Sequence, residues 1–249
     1  MKYRYSYSRL ECFRQCKLKF KYSYIDKISV PKDQTALIKG SYIHWLIEQS
    51  FKEEPIEVSK SYHNPLINAD QYKEYDEIFK RFKETEKYKN IKDLPALGNE
   101  VNWALDSKLN PTNYYGNDYV IRGTIDYIAI KNRCAIIIDW KTGKTKDKKY
   151  IPDANQLALY AIWAEKVLNV DKIICQFVYV ETGDFHTYTY TSDDLVPIKK
   201  QFAQDIMSIE NEKAFIAKPS ILCNWCEFKS MCDSFKSSNY NKEHNDTNI

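Results

Sequence analysis

The sequence predicts an α/β fold in which a mixed central β-sheet is flanked by helices. Three observations carry that expectation. Apolar residues recur at helical spacing through the first third of the chain. From Val101 to Ile138 the pattern switches to apolar residues in strand-like runs. Beyond that, a helical stretch separates two further strand runs, and a last helical stretch follows. Helices, strands, a helix, more strands and a helix suit one sheet with helices packed over it.

Each element has its own signal. In SYSRLECFRQCKLKFKYSYI, Leu10, Phe13, Cys16, Phe20 and Tyr24 share a helix face, and Ser8 with Glu11 fits a capping box. A turn near Pro31 leads to a second helix over Thr35 to Lys52, which contains GSYIHWLIE. Asp70 to Lys89 is highly charged with Tyr72, Tyr75, Phe79 and Phe82 at helical spacing, so its charges form a solvated face. Pro95 and Gly98 then punctuate the chain. EVNWALDSKL alternates Val101, Trp103 and Leu105 with polar residues and reads as a strand; NPTNYYGND is turn chemistry. YVIRGTIDYIAI and CAIIIDW are strands joined by a turn at Lys131 to Arg133. NQLALYAIWAEKVL is a helix, and IICQFVYV pairs with DFHTYTYT through Glu181 to Asp184. Asp193 to Glu210 is the last long helix. The expected organisation is one domain over 1–236 and a disordered polar tail over 237–249.

Composition bounds the setting. The 249 residues are 43% hydrophobic and 29% charged, as in a globular protein with a substantial core. A net charge of +3 is too small to establish a nucleic-acid partner, so basic surface must be argued locally. No apolar run is long enough to span a membrane and MKYRYSYSRL lacks a signal-peptide apolar region, so a cytoplasmic setting without a membrane partner is expected. Seven cysteines then call for a use other than disulfides.

The chemistry concentrates where strands end. Asp126 lies inside an apolar strand, where aspartate is depleted and costly to bury unpaired. Asp139 ends the next strand, and an antiparallel hairpin brings the two carboxylates together. Close carboxylates repel, and hard oxygen ligands attract Mg2+ or Mn2+ rather than zinc. Lys141, two residues beyond Asp139, projects from the same face and would serve an attacking water. The alternative is an ordinary carboxylate–lysine ion pair. His44 on its helix, with Gly40 one turn earlier, reads equally as structural; Gln156 and Tyr160 share a helix face. Gly123 suits a bulge, and Glu100 reads as surface.

The order GSYIH, GTID, IIIDWK and QLALY resembles the RecB-like branch of the PD-(D/E)XK nuclease superfamily, as does the opening SYSRLECFRQCKLKFKY. The resemblance runs from about Ser6 to Cys232 and implies a restriction-endonuclease-like core. It implies that His44, Asp126, Asp139 and the Trp140 carbonyl bind Mg2+ or Mn2+, and that Lys141 is the catalytic lysine. Gln156 and Tyr160 match a Q-x-x-x-Y motif that supports the site, with Tyr160 also contacting substrate. The first acid lies in G-T-I-D rather than after a proline, which is usual for this branch.

CNWCEFKSMC sets Cys223, Cys226 and Cys232 as C-x2-C-x5-C, one ligand short of a tetrahedral site. Cys12 or Cys16 can supply the fourth. Buried cysteines and structural Zn2+ are both alternatives. The split pattern resembles the iron–sulfur subset of the same superfamily, the AddB-type and CRISPR-associated adaptation exonucleases. That likeness implies a [4Fe-4S] cluster on Cys16, Cys223, Cys226 and Cys232, joining the N- and C-terminal segments. Lys17 stands where the family pattern has proline. Cys134 and Cys175 lie in apolar strands and read as core.

After Lys141 the loop KTGKTKDKK carries Lys144, Lys146, Lys148 and Lys149, suited to backbone phosphates or simply to solvent. In KLKFKYSY, interleaved basic and aromatic residues suit single-strand stacking or core packing equally. The expected function is a metal-dependent DNA exonuclease or end-processing nuclease with little sequence preference, in replication, recombination or repair, of phage or bacterial origin. Its partners would be single-stranded or duplex DNA ends and recombination or replication proteins. The alternatives are a prespacer-trimming exonuclease of CRISPR adaptation and a non-catalytic iron–sulfur nucleic-acid-binding module.

Overall fold

The computed structural model describes residues 3–31, 33–52, 62–145 and 155–237. It divides into two compact units, one formed by Met1–Asp33 with Phe202–Ile249 and the other by Gln34–Gln201.

The larger unit is built on a five-stranded sheet ordered β1-β2-β3-β4-β5. The strands are Ala96–Leu105 (β1), Ile121–Lys131 (β2), Cys134–Lys141 (β3), Lys172–Tyr179 (β4) and Phe185–Tyr190 (β5). β3 and β4 run parallel and the other neighbours antiparallel, so the expected mixed sheet is present. Asn132 and Arg133, both with positive φ (51° and 57°), close the β2–β3 hairpin as a two-residue turn whose twist matches that of the strands. DSKL, read as part of the first strand, instead turns away after Leu105. Asp106 caps that turn, accepting the Lys108 and Asn110 N–H groups.

Helices α3 (Thr35–Ser50), α4 (Ala69–Glu84) and α5 (Glu86–Lys92) pack against the sheet. The charged segment expected as one helix is thus two. Thr85 takes an extended conformation and its Oγ1 accepts the Tyr88 N–H at 3.1 Å, capping α5 while ending α4. α4 opens on a capping box in which Asn68 and Gln71 exchange side-chain-to-backbone bonds of 2.9 and 3.0 Å. Tyr42, Leu46, Tyr75, Phe82, Tyr127 and Trp140 belong to one buried cluster. α6 (Asn155–Val167) is buried around most of its circumference, and its Tyr160 meets Trp103 of β1 edge to face.

In the smaller unit, α1 (Tyr7–Gln15) and α2 (Lys17–Phe20) precede a π-helical turn at Lys21–Ile25. Two expectations are corrected here. Ser6, not Ser8, is the N-cap of α1, and no side-chain cap bond forms. Ser8 lies within the first turn, its hydroxyl bonded to that of Ser6. The helix also breaks at Cys16, whose backbone is extended (φ −159°, ψ 116°). Phe20 is stacked on Phe215, edge-on to Phe13 and tilted against Tyr24. α7 (Ser192–Asn211) begins in the larger unit and ends in the smaller one. Short 3-10 turns at Ile221–Trp225 and Lys229–Met231 and helix α8 (Asp233–Ser237) complete the unit. The tail expected to be disordered lies, from 238 onward, outside the described residues. Among the described residues no helix is long and apolar enough to cross a membrane.

Candidate active site and cysteine site

The β2–β3 ladder stops one step short of the two acids. Its last pair is Tyr127 with Ile138, so the next step faces Asp126 towards Asp139. There Asp126 takes over the ladder, its Oδ2 accepting the Trp140 N–H at 2.7 Å. The other main-chain group of Trp140, its carbonyl, lies 3.0 Å from His44 Nε2 on α3. His44 Nδ1 is 3.6 Å from Asp126 Oδ1. Gly40, one turn before His44, leaves room for Thr142: a Cβ there would sit 3.3 Å from its Oγ1.

A third group joins them from β1. Asn99 pairs with Tyr127 and Val101 with Ile125, so Glu100 falls opposite Asp126. Its backbone is left-handed (φ 51°), a conformation that costs a non-glycine residue about 1–2 kcal/mol. Ligand atoms of His44, Glu100 and Asp126 all lie within 4.8 Å of one another. Although Glu100 is exposed overall, partial desolvation and the Asp126 charge push its carboxyl up to about 7. For His44, burial opposes the charged ring, but the contact with Asp126 outweighs it and the imidazole is shifted upward. The Asp126 charge contributes to both upward shifts. Glu100 looks like ordinary surface in the sequence; only the strand register reveals its position.

Asp139 faces a different set of partners. It is 3% exposed. Its Oδ1 accepts Gln156 Nε2 at 2.7 Å and the Tyr160 hydroxyl at 3.1 Å, and its Oδ2 is 2.5 Å from Lys141 Nζ. Lys141 also donates to Gln156 Oε1 at 3.1 Å, and Gln156 Nε2 to the Tyr160 oxygen at 2.8 Å. The i, i+4 spacing on α6 thus closes a ring of three polar side chains around one buried carboxylate. Burial raises the Asp139 carboxyl, Lys141 opposes that, and Asp126 adds to it; the net direction is up. Tyr160 is held in its neutral, donating form by burial and by the Asp139 charge. Gly123 lies against the Trp103 indole, where a Cβ would come within 3.1 Å. Lys144 is exposed on the loop after β3, whereas Lys146, Lys148 and Lys149 fall outside the described residues.

In the smaller unit, Cys16, Cys223, Cys226 and Cys232 line a single largely apolar cavity with Leu18 and Phe228. The extended backbone at Cys16 is what interrupts the N-terminal helix. Cys223 Sγ accepts the Ser220 N–H at 3.3 Å. Cys12 is buried and lines a separate cleft with Glu11 and Tyr24, its thiol pushed up to about 11 by burial.

A family model described as the PD-(D/E)XK nuclease superfamily matches residues 4–233. With the mixed sheet and its flanking helices, this defines the class: a phosphodiester-cleaving nuclease of the kind that uses divalent metal ions. The chain belongs to the PD-(D/E)XK nuclease superfamily. Among solved structures it is similar to a "Putative exonuclease" from Eubacterium rectale, at 15% identity over 90% of this chain and 86% of that one, with a TM-score of 0.53. It is also similar to SSO0001, at 17% identity over 94% of this chain and 87% of that one, with a TM-score of 0.47. A search of curated proteins finds no match.

Proposed function

We propose that this chain is a Mg2+- or Mn2+-dependent DNA exonuclease or end-processing nuclease with little sequence preference, working in replication, recombination or repair. The observation that carries the proposal is the ring of Lys141, Gln156 and Tyr160 around buried Asp139, set beside the converging His44, Glu100 and Asp126. The similarity to the Eubacterium rectale "Putative exonuclease" points the same way.

The donor set fits a hard divalent cation: carboxylate oxygens, one imidazole and a main-chain carbonyl, crowded enough to raise Glu100 to about 7. His44, Asp126, Asp139 and the Trp140 carbonyl are the proposed ligands, with Glu100 beside them. When bound, the cation would neutralise charge on the phosphate and lower the pKa of a water. The side chains do the rest. Lys141 orients the attacking water and stabilises charge developing on the phosphate oxygens. Gln156 and Tyr160 hold Asp139 and Lys141 in place, and Tyr160, Lys144 and Lys146 contact the substrate. Such backbone contacts carry no base information, hence the weak sequence preference.

For the cysteine site, the proposal is a [4Fe-4S] cluster on Cys16, Cys223, Cys226 and Cys232, acting as a staple. Four thiols on one apolar cavity and an amide bonded to one sulfur suit such a cluster.

The test is degradation of end-labelled single- and double-stranded DNA with Mg2+ or Mn2+. Lys141→Ala should lower the rate by about 10²–10³. Equal rates for wild type and Lys141→Ala would reject the assignment, and no cleavage by wild type would favour a non-catalytic DNA-binding protein.

A further inference from the structure

One face of the β1–β2 hairpin is polar near its middle, with Glu100 and Asn102 exposed and Arg122, Thr124 and Asp126 half-buried. Trp103, Ile121, Ile125 and Tyr127 point to the buried side. Arg122, Thr124 and Asp126 alternate with them on β2, and side chains two apart on a strand project from the same face. Across the ladder, Asn102 pairs with Thr124, and their side chains are hydrogen-bonded at 3.0 Å. The far end of this face, away from Glu100 and Asp126, carries an aromatic group from the connecting loop. Arg122 lies over the ring of Tyr114 at 4.7 Å and over that of Tyr119 at 4.4 Å. One of its nitrogens donates to the Tyr114 carbonyl at 2.8 Å. Tyr115 stands edge-on to Tyr114 and is 80% exposed. Asn102 Nδ2 reaches its hydroxyl at 3.3 Å.

An exposed ring propped by a neighbouring ring and a side-chain amide has little core-forming role. It does have the form of a stacking platform, and an arginine fixed between two tyrosines keeps donors available for an anion. Four strand residues separate Arg122 from Asp126, about 13 Å at a rise of roughly 3.3 Å per residue. That is the span of about four nucleotides at the B-form rise of about 3.4 Å, and of fewer in an extended strand. Base pairs hide the faces that such a ring would stack on, whereas an unpaired strand offers them.

We infer that Tyr115 and Arg122 form a subsite for single-stranded DNA, which holds an unpaired end a few nucleotides from the Asp126 site. This rests on the nuclease reading above and narrows its substrate to a single strand at the point of entry. Tyr115 stacks on a base, and Arg122 meets a backbone phosphate. Asp106 and Asp118 offset the basic charge of this loop, so stacking contributes more than net charge and the Tyr115 contribution persists in salt.

The experiment is fluorescence anisotropy of labelled oligodeoxythymidylate and of a blunt duplex, in EDTA to prevent cleavage, at low and high salt. Tyr115→Ala should weaken single-strand binding at least about five-fold at both salt concentrations, with the duplex changed less than about two-fold. Tyr115→Phe should bind as wild type does. Single-strand binding by Tyr115→Ala equal to wild type, an equal loss on the duplex, or no oligodeoxythymidylate binding by wild type would each overturn the inference. A wild type that binds through Tyr115 but cleaves nothing with Mg2+ or Mn2+ upholds the subsite and refutes the nuclease reading. One that cleaves while Tyr115→Ala binds unchanged does the reverse.

Discussion

Glu100 is held in a left-handed conformation opposite Asp126, with its carboxyl shifted to about 7. A cation competes with protons for Glu100 and His44. Both groups are shifted upward, so Mn2+ affinity should rise as pH increases through about 7. Calorimetric titration with Mn2+ should show Glu100→Gln binding about ten-fold more weakly, with a flatter pH dependence. Unchanged affinity would make Glu100 a bystander. Tyr160 tests the other side of the site. Tyr160→Phe removes one donor from buried Asp139 and should cost about 1 kcal/mol in urea unfolding. At this scale the sequence was uneven. Asp126, Asp139, Lys141, Gln156 and Tyr160 stand out because aspartate is rare inside apolar strands and i, i+4 polar pairs share a helix face. Glu100 does not, because its position depends on strand pairing and on one left-handed residue that composition does not reveal.

Elements were legible where periodicity is long and uninterrupted. The strands from Ile121 to Lys141 and the helix Asn155–Val167 follow directly from their apolar patterns. Breaks were harder to read, because a single residue can interrupt a helix without disturbing its apolar spacing. Thr85 splits a charged helix by capping the next one, and Cys16 leaves the helix although Leu10, Phe13 and Phe20 keep their spacing. The capping box at Asn68 and Gln71 sets where the charged helix starts. Asn68→Ala should therefore lower stability by about 1 kcal/mol in urea denaturation, with no change in DNA cleavage.

Across the whole molecule, the two units carry two distinct chemistries. One holds the acidic and lysine residues at the end of a mixed sheet, and the other gathers four cysteines from both ends of the sequence. Anaerobically purified protein should contain iron and acid-labile sulfide, both lost in Cys16→Ser and retained in Cys12→Ser. Zinc without sulfide would refute the cluster. The nuclease reading is tested most directly by end-labelled DNA incubated with Mn2+, comparing wild type with Asp139→Asn at matched circular dichroism. The account predicts degradation by wild type, abolished by EDTA and slowed at least about 100-fold in Asp139→Asn. Degradation at the same rate by both proteins would contradict it.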